Sequence, residues 1–187
     1  MFKIRSFLFA TCLLASLATA VNAEMGTQLK IGDQVLQLNG AGVRTKTFVQ
    51  IYESGLYLLK PTQNGSAILD GEELMAIRVR ITSGFVNRAS LMSSLQEGLA
   101  QATNGKPESI ASETEHLQRA LHEEVKKNDV FDFVYVPAKG LHVVKNGKVQ
   151  GVIPGLAFKK ALFGIWLSDA PVDKDLRQAM LKGRAAY

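Results

Sequence analysis

The chain of 187 residues is poor in the residues that most chemistry needs: one cysteine (Cys12), one tryptophan and three histidines. A single thiol excludes intrachain disulfide staples. His116 and His122 are six apart and His142 stands alone, whereas a helical metal pair needs i, i+4 spacing, so no metal is expected. No Gly-x-Ser-x-Gly, phosphate loop or dinucleotide fingerprint occurs; Gly40-Ala41-Gly42 lacks a third glycine and leads into an extended segment, so no cofactor is expected either. There is no run of five basic residues and no basic stripe interleaved with aromatics, so the formal charge of +5 is not the footprint of a nucleic-acid partner. Long apolar runs are absent too, apart from Phe7 to Leu17, and that run of 11 falls short of the roughly 18 to 20 residues that span a bilayer.

That run follows Lys3 and Arg5 and precedes the small residues that end in Val21-Asn22-Ala23, the order of a secretory signal peptide. The alternative is a buried N-terminal helix, but no cap or amphipathic face supports it. Cleavage is expected after Ala23, which gives a leader of residues 1–23 and a domain of residues 24–187, with a second possible site at Ala18-Thr19-Ala20. The mature chain of 164 residues would hold no cysteine, since Cys12 leaves with the leader, and 20 basic against 17 acidic residues. Thiol catalysis and Cys-based metal centres are excluded from it. A periplasmic location without a stable membrane anchor is the expectation, and the fold must rest on its core.

What is present is 47% hydrophobic residues arranged in clear periods. Leu29–Ile31 and Val35–Leu38 flank Gly32-Asp33-Gln34 as a hairpin. A Gly-rich kink at residues 39–42 precedes a long extended stretch, Val43 to Leu59, and Pro61 to Gly71 reads as a loop. Met75 to Ile81 alternates with period 2, which puts Arg78 and Arg80 on a solvated face. Ser83 is placed to cap a helix carrying Phe85, Met92, Leu95 and Leu99. A second helix is expected from about Ser112, with Glu115 in a capping box, through Val125 to Lys126-Lys127. Strands return at Val130–Val136 and Leu141–Lys145, with Asp129 and Asp132 read as exposed hairpin residues, and Asn146-Gly147 marks a type I′ hairpin. Leu156 to Leu167 is apolar on most sides and must be a buried helix, and Asp169 and Pro171 start a terminal one. This order argues a single α+β domain around an antiparallel sheet.

One segment points to chemistry. A glycine-rich corner delivers Arg44 into the extended stretch, where period 2 puts Arg44, Phe48 and Tyr52 on one face if no bulge intervenes. A guanidinium beside aromatic and hydroxyl groups at the rim of an apolar face can hold a carboxylate or stabilise a developing oxyanion. It can equally satisfy backbone carbonyls or form a structural ion pair.

At these residues the chain resembles the chalcone isomerase-like superfamily, its bacterial exported branch in particular. The resemblance rests on Asn39-Gly40-Ala41-Gly42-Val43-Arg44, on Ile51-Tyr52-Glu53-Ser54-Gly55-Leu56-Tyr57-Leu58, and on Phe158 to Ser168 followed by Ala170-Pro171-Val172-Asp173. It implies an open-faced β-sandwich, an antiparallel sheet with a layer of helices and a ligand cleft between them. In the plant enzymes of that family an arginine at the place of Arg44 stabilises the enolate formed as a chalcone closes to a flavanone. A threonine of those enzymes falls at Tyr52 and a tyrosine at Val86 or Asn87, so two of three functional positions depart. Fatty-acid-binding members use the arginine to hold a carboxylate.

The resemblance therefore implies a non-catalytic domain that binds a small amphipathic or carboxylate ligand, such as a fatty acid, in a helix–sheet cleft. Arg44 would anchor it, and Phe48, Tyr52, Phe85, Met92 and Trp166 would line the cleft, although plain core packing also explains each of the aromatics. Two alternatives stay open. One is an intramolecular lyase of the chalcone isomerase type with Arg44 and Tyr52 catalytic; the other is a protein-interaction module with a filled cleft, its protein partner unknown.

Overall fold

The computed structural model describes residues 25–183. The expected leader, residues 1–23, lies outside the described residues. Seven strands form one antiparallel sheet in which chain order is spatial order: β1 (Gln28–Ile31), β2 (Gln34–Lys46), β3 (Val49–Leu58), β4 (Met75–Ile81), β5 (Val130–Val136), β6 (Gly140–Lys145) and β7 (Lys148–Ile153). The sheet curls into a half-barrel and, among the described residues, carries five α-helices. They are α1 (Gly65–Asp70), α2 (Arg88–Ala102), α3 (Ala111–Ala120), α4 (Leu156–Leu167) and α5 (Lys174–Met180). The α+β architecture is the one expected.

Cross-strand register separates the two faces of the sheet. Leu56, Ile77, Phe133 and Val143 are successive partners across β3 to β6, and their side chains join Leu95, Leu99, Phe158, Leu162 and Trp166 of the helices in the main core. Each such side chain contributes about 1.5–3 kcal/mol by burial. Leu38, Tyr57, Ala76 and Val134 are partners on the other face and form a smaller core with Leu29, Leu36 and Leu74. The Tyr57 hydroxyl donates to the Met25 carbonyl there.

Helix α4 is buried along nearly its whole length, as its composition required. Its Lys159 is fully buried as well, because its ammonium donates to three carbonyls around the C-terminus of α1: Ile68 at 2.6 Å, Leu69 at 2.9 Å and Gly71 at 2.8 Å. It also lies 5.2 Å from the Tyr135 ring centre and 5.6 Å from that of Phe163. Burial lowers its pKa to about 8, so the cation that those acceptors require persists at neutral pH.

Several expectations are corrected. The stretch from Val43 to Leu59 is not one strand: it folds back at Thr47-Phe48, so β2 and β3 form a hairpin whose turn residues have φ of 46° and 70°. Neither residue carries the turn chemistry that would have announced it. The loop at 61–71 contains α1, capped by Asn64. Helix α2 begins at Arg88 with Asn87 and Ser90 as its capping box, while the Ser83 hydroxyl accepts from the Phe85 amide in the preceding turn. Helix α3 follows a 3₁₀ turn at Pro107–Ile110 and ends at Ala120, well short of Lys126-Lys127. Helix α5 starts after Asp173, whose carboxylate accepts from the Leu176 amide at 2.9 Å. Arg78 and Arg80 are not simply solvated: Arg78 makes a two-point pair with Asp132 at 2.7 and 3.0 Å, and Arg80 pairs with Glu53 at 2.9 Å. Asp132 is therefore buried, and Asp129 is engaged by Lys145 and Asn146.

The residue 39–42 kink lies within β2. Its Asn39 is the extra residue of a bulge between Leu38 and Gly40, and the Asn39 amide donates to the Met180 carbonyl at the end of α5 at 2.8 Å. Gly40 and Gly42 are the seat of α5. A Cβ at Gly40 would fall 2.1 Å from the Ala179 carbonyl oxygen, and one at Gly42 2.8 Å from the Ala179 Cβ. Gly40→Ala should thus lift α5 from the sheet and destabilise the protein by about 3 kcal/mol, the upper range for overpacking. Urea unfolding measures this, and a loss within experimental error would show that α5 does not depend on that contact.

Candidate functional site

A cleft of about 330 Å³ opens between the helix-side face of β2–β5 and the helices α2 and α4. Phe131, Phe133, Ile165 and Trp166 give it an apolar wall, in which the Phe133 and Trp166 ring centres are 6.1 Å apart. Leu91, Leu95 and Gly98 of α2 form another wall at helical spacing. Glu97 and Gln101 add polar groups on the same helix.

The β2–β3 fold-back makes Arg44 and Tyr52 direct cross-strand partners, a pairing that places both on the cleft face. Arg44 is about one-quarter exposed, and its Nη1 donates to the Val172 carbonyl and lies 3.6 Å from the Asp173 carboxylate. It thus does what the structural reading required, satisfying a carbonyl and an acid. Those contacts use one nitrogen, so Nη2 and Nε keep N–H donors for a ligand.

Tyr52 accepts a hydrogen bond from the Trp166 indole at 2.9 Å, and its own hydroxyl proton remains a donor. Burial pushes its pKa up to about 12, against the opposing pull of the Trp166 hydrogen bond and the Arg44 charge. The site therefore offers a fixed cation beside a phenol that stays neutral at physiological pH. Such a pair can receive a carboxylate or another compact anion.

Of the other expected site residues, Trp166 lines the cleft and so does Phe85, which stands at the mouth, 85% exposed, in the loop before α2. Phe48 does not join them: at the tip of the hairpin it is 98% exposed, because the fold-back breaks the period 2 that had grouped it with Arg44. Met92 is buried in the core and is not among the cleft-lining residues; the stripe Leu91–Leu95–Gly98 faces the cleft instead, about one helical position around. Residues that sequence reasoning missed include Ile51, Val86 and the Arg44 tether at Val172-Asp173. Asp173-x-x-Leu176 carries an N-cap signal that could have placed the tether.

The family model described as chalcone isomerase-like matches residues 18–182. The chain belongs to the chalcone isomerase-like family. No curated protein sequence is significantly similar to it. Among solved structures, this chalcone isomerase-like chain is similar to the crystal structure of a fatty-acid binding protein of Arabidopsis thaliana. That match has a TM-score of 0.63 and 20% identity and covers 83% of this chain and 90% of the other. At that identity the likeness is one of fold. At the family enzymes' tyrosine position, this chain has Val86, an apolar wall of the cleft, or Asn87, whose side chain caps α2.

The Tyr52 pKa fixes a pH dependence. An unfolded tyrosine releases its proton near pH 10, and the folded one near 12. The folded state therefore binds more protons at Tyr52 between those values, and the contribution of Tyr52 to stability, constant below about pH 10, falls as pH rises toward 12. Tyr52→Phe should flatten that decline in denaturant melts recorded across the range; identical slopes for variant and wild type would contradict it.

Proposed function

We propose that the protein is a non-catalytic carrier of a small amphipathic carboxylate, a fatty acid being the simplest case. The carboxylate sits on Arg44 and Tyr52, and the apolar part lies along the cleft wall at Phe133 and Trp166. The observation that carries this reading is the cross-strand pairing of Arg44 with a neutral, half-buried phenol at an apolar cleft. A cleft of about 330 Å³ is within the usual range for a small ligand. The shared fold with a fatty-acid binding protein supports the same ligand class.

The isomerase reading is weaker. Arg44 is in place, but the hydroxyl set that accompanies it in the family enzymes is not, since Val86 is apolar and Asn87 is committed to its helix cap. An open cleft also speaks against an interaction module filled by its own side chains.

Arg44→Ala should leave the melting curve near that of wild type and weaken binding in a fatty-acid titration by about 10- to 100-fold, the value of a charge-assisted hydrogen bond. Chalcone turnover should be negligible in wild type already. Unchanged binding in the variant, or no binding and no co-purifying small molecule in wild type, would sink the carrier reading. Rapid wild-type flavanone formation lost in Arg44→Ala would favour the lyase instead.

The signal-peptide pattern adds that this carrier works in the periplasm. N-terminal sequencing of the protein isolated from cells should then begin at Glu24, and an N-terminus at Met1 would remove export from the proposal.

A further inference from the structure

Two large apolar side chains left in water stand at one place on the molecule. Phe48 is 98% exposed at the β2–β3 tip, and Phe85 is 85% exposed in the loop between β4 and α2. The two segments are tied together: the Thr82 and Ser83 amides donate to the Ile51 carbonyl at 3.1 and 3.3 Å, and the Thr82 hydroxyl donates to the Gln50 carbonyl at 3.2 Å. Lys46, Ile51 and Phe85 all line the cleft, so both aromatics flank its mouth.

Phe48 is also held in a backbone state that disfavours it. Thr47 and Phe48 have φ of 46° and 70°, the region that Asn-Gly fills at low cost. The chain uses that dipeptide at Asn146-Gly147, where φ is 49° and 78°. A β-branched residue followed by a bulky ring at the other tip carries strain with no packing gained in return. Strain maintained at an exposed position is a reason to look for function there.

The charges at this end complete the picture. Lys46 and Lys127 are exposed, and among the described residues neither has an acidic partner. The Asn128 amide donates to the Ile81 carbonyl at 2.8 Å, which brings the Lys127 segment to the same end of β4. On the segment next to Lys127, Glu123 and Asp129 pair with Lys145, and Glu124 with Lys126; in the cleft, Glu97 accepts from the Ser93 hydroxyl.

We infer that the mouth of the cleft docks on an anionic phospholipid bilayer, with Phe48 and Phe85 entering the interfacial layer and Lys46 and Lys127 meeting the headgroup phosphates. Single rings on separate protruding loops flanked by lysines suit a lipid interface. A protein partner needs a contiguous central cluster, which two single rings on adjoining loops do not make. The contact opens the cleft onto the layer in which amphipathic molecules dissolve. It goes beyond the carrier reading and does not depend on which ligand the cleft holds.

Co-sedimentation with unilamellar vesicles of phosphatidylcholine, with and without phosphatidylglycerol, tests this on protein purified from cells expressing the full chain. Wild type should bind the anionic vesicles, less so as salt rises. Phe48→Ser should reduce that binding by at least about tenfold, the effect of one buried phenyl ring, while fatty-acid uptake from solution stays at the wild-type level. Thr47→Asn with Phe48→Gly should raise the unfolding midpoint and still lose the vesicles, which separates docking from folding. The inference is overturned if wild type ignores vesicles of both kinds, or if Phe48→Ser binds them as well as wild type. It is also overturned if the Phe48 tip captures a protein partner while vesicles do not bind.

Discussion

The contact on which the rest depends is the seat of α5 on β2. Two glycines, Gly40 and Gly42, let the helix backbone approach the strand so closely that any side chain at Gly40 would overlap the Ala179 carbonyl. Asn39 then closes both sides of the joint, donating to the Met180 carbonyl and accepting from the Thr62 amide at 2.7 Å. Because α5 is fixed there, its N-cap Asp173 and the preceding Val172 carbonyl come to rest beside Arg44 on the same strand. A glycine-rich segment that looks like a ligand loop is thus a packing surface, and its contribution to the site is indirect: it decides where the arginine points.

That indirect control bears on the proposed binding. A free arginine loses side-chain entropy when it grips an anion, up to about 2 kcal/mol. Arg44 has part of that cost already met by the α5 tether, and its single-nitrogen pairing with Asp173 at 3.6 Å is too loose to saturate the guanidinium. Tyr52 is held in the same way by Trp166, and its phenol, neutral at physiological pH, is a donor rather than a competing anion. Arg44 and Tyr52 are thus held by groups just before α5 and within α4.

How much of this was legible in the sequence depends on what each element signals. Strands β4 and β5 and helix α4 were readable to the residue, because period 2 and an all-round apolar helix are strong patterns. The Asn146-Gly147 turn was readable from its chemistry. Thr47-Phe48 was not, since it makes the same turn with residues that disfavour it, and missing it displaced Phe48 from the tip into the cleft. Arg44 and Tyr52 survived that error by accident of register: eight residues apart, they share a face whether the chain runs straight or folds back with one bulge. The partly buried ion pairs of Arg78 and Arg80 were invisible for another reason. Alternation marks which face a residue takes, and a charged residue on the outer face looks alike whether water or a carboxylate meets it.

The bulges of the β2–β3 hairpin connect these points. At Asn39 the extra residue turns a side chain toward the end of α5 and leaves Gly40 to receive that helix. At Ile51 the extra residue, unpaired between the Arg44–Tyr52 and Thr45–Gln50 partners, lines the cleft while its carbonyl accepts from both Thr82 and Ser83. One irregularity therefore positions the arginine through α5, and the other fixes the Phe85 loop at the mouth. A regular hairpin of the same length would supply neither, since β-bulges are the local device by which a strand re-aims its groups without losing its pairing. The polar anchor of the cleft and the Phe85 loop at its mouth are thus positioned through two inserted residues in a single hairpin.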